Sequence, residues 1–192
     1  MEIAKGIYSS QYLKLNLNDL NSPDWEKAIN ILEKRIFERY IEPIDKLIEL
    51  EKDISPNNKK YGFIILATDC MILENIQCFY EGKDDSNRKS EKVFIRFLTQ
   101  RENFKKHFNK DSASTFFKDF RCAILHQLET YKNSKIWSVG QMVNINENGM
   151  IINRTEFHNN IKKEVSIYLE KLQLGTELRQ NFKNKMDFIC KR

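Results

Sequence analysis

Residues 116–131 read FFKDFRCAILHQLETY. Apolar side chains recur here at steps of three and four, as on a core-facing helix, yet the stretch also carries Arg121 and His126. Arginine is rarely buried without a partner, and histidine is the one side chain that ordinarily titrates near neutral pH. On a helix turning about 100° per residue, with Arg121 at zero, Phe116, Phe117, Phe120, Ala123, Ile124 and Leu128 fall between roughly 200° and 340°. That arc is the expected buried face. Arg121, and His126 at about 140°, lie on the remaining arc with Lys118, Cys122, Leu125 and Glu129. Both therefore point away from the core into one groove, about 7.5 Å apart along the axis. Glu129, three residues beyond His126, is spaced to orient or charge it. One continuous helix is expected from about 115 to 130.

Working outward, the other segments also read as helices. NSPDWEKAIN offers Ser22 as N-cap, Pro23 at the first helical position and acidic residues in the first turn. Trp25, Ile29, Leu32, Ile36, Tyr40, Ile44 and Ile48 then form an apolar stripe, and Pro43 is expected to bend this helix without ending it. YGFIILATDCMILENIQCFYEG is apolar almost all round, so it belongs at the centre of a bundle, with Gly82 as its C-cap. Asp69, Glu74 and Gln77 interrupt it; they are expected to form caps and loop contacts or to support Arg121 and His126 from behind. QMVNINENGMIINR alternates polar and apolar about Asn148-Gly149, a hairpin signal. Two amphipathic helices separated by Gly175 close the chain. The expected architecture is an all-α bundle, a single domain over residues 1–192, with a small β-hairpin near residues 141–153.

With 192 residues, 41% hydrophobic and 31% charged, the chain is long enough for a core and is neither disordered nor membranous in composition. No run approaches the roughly 20 apolar residues of a spanning helix, and no secretory signal stands at the N-terminus, so the expected location is the cytoplasm, with no membrane partner. The net charge of +5 permits a polyanionic partner without demanding one. Cys70, Cys78, Cys122 and Cys190 lack metal-ligand spacing and read as inert packing thiols, and the three histidines form no metal cluster. His107 and His158 are expected on solvated faces. Tyr131 and Trp137 could stack on a base, although aromatics near a helix end more often join the core. No metal and no other cofactor is expected.

RCAILHQLET resembles the R-x4–6-H motif of the HEPN superfamily, all-α domains many of which are metal-independent ribonucleases. The fuller text TFFKDFRCAILHQLET, preceded by DCMILENIQCFYEG and VFIRFL, is similar to bacterial HEPN families that include plasmid-borne proteins, over residues 60–140. Cys122 stands where many HEPN ribonucleases carry Asn, Asp or His. The resemblance implies RNA as substrate, a toxin or phage-defence setting, an antitoxin or regulatory protein as a further partner, and a homodimer. Two motif helices would meet across a two-fold axis, so that Arg121 of one chain approaches His126 of the other. A neutral histidine can take the proton of an attacking 2′-hydroxyl, and the planar arginine fork fits a phosphate. The catalytic expectation is therefore Arg121 and His126, supported by Glu129, Cys122, Asp69 and Glu74. The competing expectation is a non-catalytic HEPN module that binds RNA or a protein.

Overall fold

Proline 43 explains the first departure from regular helix. It has no N–H to offer the Arg39 carbonyl, and its ring crowds that carbonyl. In the computed structural model, which describes residues 1–147, 149–175 and 177–191, the chain widens into a π-turn over Phe37–Ile41 just before it. Helices α2 (Asp24–Ile36) and α3 (Glu42–Leu50) continue on either side. Before them lie a short strand pair, β1 (Glu2–Ala4) and β2 (Ile7–Tyr8), and one turn of helix, α1 (Ser9–Tyr12). Ser22 acts from one place outside the cap: its Oγ accepts from the Asp24 N–H at 3.2 Å, and Pro23 holds the cap position.

Helix α4 (Gly62–Glu81) is the central post, packed against α5 (Ser90–Gln100), α8 (Arg154–Leu174) and α9 (Glu177–Cys190). Contrary to the hydropathy expectation, it is long and apolar enough by itself to cross a membrane, but over half of that stretch is buried in the fold. Its burial is also incomplete: Ile64 is 53% and Met71 41% exposed along one face. It stops at Gly82, whose φ of 62° and the Asn181 side chain 2.6 Å from where a Cβ would stand both require glycine.

The chain is mostly helical, consistent with the expected all-α-dominant class, and among the described residues it also carries two small sheets. The expected hairpin exists as β4 (Val143–Asn146) antiparallel to β5 (Gly149–Asn153), although Asn148 of its turn signal lies outside the described residues. The structure adds two features beyond the expected hairpin: the β1–β2 pair, and β3 (Lys135–Trp137), which pairs parallel to β5. Strand β3 is only three residues long, too short for a period-2 pattern to register.

Candidate functional site

The quoted segment does form helix, but not one ideal helix. Asn109 caps it, its side chain accepting from the Ser112 N–H at 2.8 Å. Helix α6 (Lys110–Phe116) then opens into a π-turn over Phe117–Cys122, and α7 (Ala123–Gln127) completes the run. The helix ends at Gln127, short of the expected residue 130, because Leu128 takes a left-handed conformation with φ 57°. A stacked aromatic column fixes the segment in the core: Phe116 lies 5.3 Å from Phe120 and 5.1 Å from Phe157 of α8. Burying each such ring contributes about 1.5–3 kcal/mol.

The π-turn shifts the phase of the helix face, since each residue in it advances less than the ideal 100°. Leu128, expected inside, is 85% exposed. Asp119 is buried, and its carboxylate accepts from the Ser134 hydroxyl at 3.1 Å. Its carbonyl accepts from the Tyr131 N–H at 3.0 Å, and the Thr130 hydroxyl donates to the Ser134 carbonyl at 2.6 Å. These bonds fold residues 128–134 back over the π-turn and close the helix early. Gly149, with φ 144°, lets the backbone of Asn133 approach where a Cβ would stand 2.9 Å away.

Arg121 does not simply face a groove. It reaches α4, where its Nη2 donates to Glu74 Oε2 at 3.0 Å, and its side chain is only 20% exposed. The Ser86 hydroxyl donates to the other oxygen of Glu74. The Phe117 ring lies 5.5 Å from the guanidinium carbon, near enough for a cation–π contact. Of the polar residues expected behind the motif, Glu74 is bonded to Arg121, whereas Gln77 donates to Glu81 at 2.7 Å. One N–H of the guanidinium is committed, and its fork has others to offer an anion.

The remaining site residues separate. His126 is exposed in the last turn of α7. Glu129 does not orient it: the Glu129 carboxylate accepts instead from the Thr130 N–H at 2.9 Å. Cys122 is a half-buried free thiol beside Arg121. Burial pushes the neighbouring Cys70 thiol well above its ordinary range, against the opposing pull of Arg121, so it stays protonated and unreactive. Asp69 belongs to another site: its Oδ1 lies 2.7 Å from Nδ1 of His158, and both side chains are fully buried. His158, expected on a solvated face, is therefore enclosed, with Nε2 3.4 Å from Asp45 Oδ1. Burial raises the Asp69 carboxyl to about 6, while His158 pulls it the other way.

Tyr131 and Trp137 are 40% and 37% exposed, so neither is a core residue. Among the described residues no group of three or more His, Cys, Asp or Glu side chains is arranged to hold a metal ion. No protein-family model, curated protein or solved structure matches the chain.

Proposed function

We propose that the chain is a HEPN-type endoribonuclease that cleaves RNA through 2′-hydroxyl attack without a metal, in a toxin or phage-defence setting in the cytoplasm. The observation that carries this reading is the division of labour on one helix. Arg121 is braced by Glu74, whereas His126, five residues on, stands free in solvent at the helix end. A braced guanidinium suits a fixed phosphate clamp, because preorganised positive charge stabilises the negative charge building on the phosphorus-bound oxygens without reorganising. A solvent-facing imidazole can take the 2′-hydroxyl proton and return one to the leaving 5′-oxygen. The products are a 2′,3′-cyclic phosphate and a free 5′-hydroxyl.

The reading includes a homodimer through the Arg121/His126 helix. Leu125 at 56% and Leu128, just past the end of α7, at 85% exposure form an apolar end next to His126, and a second copy would cover it while pairing Arg121 with His126 across the two-fold. An antitoxin or regulatory protein covering the same end is the further partner of this reading. Cleavage of a mixed cellular RNA by wild type, absent in His126→Ala, tests the enzyme reading directly.

The same ion pair also favours a second reading. A guanidinium tied to a carboxylate is a structural tether as much as a phosphate site, and Cys122 follows it where many HEPN ribonucleases have a polar residue. A non-catalytic HEPN module would bind RNA or protein and show the same negligible cleavage rate with and without His126.

A further inference from the structure

Between α2, the first π-turn, α4 and α9 lies a cavity of about 180 Å³. Its walls are apolar, formed by Leu32, Ile36, Ile72, Ile76, Phe79 and Ile189. Arg35, Tyr40 and Asn75 supply its polar edge, and it contains no acidic residue. Met71, 41% exposed, and the exposed Asn75 mark where it meets solvent. An apolar cavity of about 150 Å³ is enough to hold benzene. This one has room for one ring or about six carbons, and not for a peptide helix.

Arg35 is the cation among the residues lining the cavity. Its Nη1 donates to the Ile3 carbonyl at 2.7 Å, a neutral acceptor. No carboxylate among the described residues lies within ion-pair distance of it. Burial disfavours its charged form, and the nearby Arg39 cation adds to that. A half-buried cation at the rim of an apolar cavity gains most from an anion that arrives with its own apolar body. Tyr40 enters the wall from the π-turn over Phe37–Ile41, and such turns recur at functional sites.

We propose that this cavity binds a small organic carboxylate, its apolar body against Ile72, Ile76 and Phe79 and its carboxylate on the remaining N–H groups of Arg35. The proposal stands apart from the RNA-cleavage reading, since neither Arg121 nor His126 lines the cavity.

The test is an NMR titration of the full chain, labelled at isoleucine methyls, with phenylacetate, benzyl alcohol and 2-phenylethylamine as anionic, neutral and cationic probes. Phenylacetate should shift the methyls of Ile36, Ile72, Ile76 and Ile189 saturably, binding at least tenfold more tightly than either other probe. Arg35→Met should weaken phenylacetate at least tenfold and leave benzyl alcohol within twofold. Because that change also removes the donor to Ile3, Ile72→Phe is the second variant; it fills the cavity, keeps Arg35 and should abolish binding of all three probes. Absence of saturable shifts with phenylacetate, equal affinity for the three probes, or phenylacetate binding that survives Ile72→Phe would each overturn the proposal.

Discussion

Arg121 and Glu74 face each other across 3.0 Å, joining the motif helix to the central post of the fold. The pair is neither solvent-exposed nor sealed, and its partners are 47 residues apart in sequence. It gives Arg121 a structural role in addition to any chemical one.

Arg121→Ala and His126→Ala should therefore differ in stability while agreeing in activity. His126 is exposed, and its removal should change unfolding free energy by no more than about 0.5 kcal/mol. Removing Arg121 leaves the Glu74 carboxylate without its cation, held by the Ser86 hydroxyl, and should cost about 1–3 kcal/mol. On the ribonuclease reading either change lowers cleavage at least about 100-fold, and the double variant cleaves no more slowly than the worse single. Urea denaturation and cleavage rates on the same four proteins check this. Wild-type cleavage by His126→Ala would reduce the motif to architecture.

Glu74→Gln keeps an acceptor for Arg121 but discards the charge. The expected loss of stability is about 1 kcal/mol, between exposed and buried pairs, and the guanidinium is left looser. Cleavage should fall by about tenfold through positioning alone. A cleavage rate unchanged while stability drops would separate the brace from the chemistry.

Chelation is the simplest probe of mechanism. EDTA should leave RNA cleavage at full rate, and end-group analysis should find 2′,3′-cyclic phosphate termini. Activity lost in EDTA and restored by a divalent ion would require a different reaction.

Asp69 gives a pH-dependent stability. Its carboxyl sits near 6 in the fold, above the unfolded value of about 3.9. A group raised in this way favours folding fully below its unfolded value and loses that contribution as pH climbs through its folded value. The stability of wild type relative to Asp69→Asn, which retains an acceptor for His158, should therefore fall between about pH 4 and pH 6. Urea midpoints across that window measure it, and a constant or rising difference would contradict the burial argument.

The Arg154–Glu51 pair is the most enclosed arginine–carboxylate pair among the described residues, with side chains 2% and 1% exposed. Arg154→Met leaves a buried carboxylate uncompensated and should cost about 3–5 kcal/mol. Adding Glu51→Gln should recover only part of that. Glu51 also accepts from the backbone N–H groups of Lys60 and Tyr61, which hold the start of α4. Thermal and urea unfolding of the single and double variants check the order.

Local pattern determined much of this protein. The stripe from Trp25 to Ile48, the helix ending at Gly82 and the alternation about residues 141–153 fixed the α2–α3 run, α4 and a hairpin, because helix and strand periods are set by backbone geometry. The phenylalanine spacing placed Phe116 and Phe120 in the core, and the R-x4-H spacing put Arg121 and His126 on one helix. Tertiary structure decided the partners. The π-turn at Phe117–Cys122 shifted the phase of everything after it, burying Asp119 and exposing Leu128. The long-range pairs Glu74–Arg121, Asp69–His158 and Glu51–Arg154 leave no trace in local spacing. A carboxylate on a buried helix must find a cation or a donor, but which one it finds depends on how α4, the motif helix and α8 lie against one another.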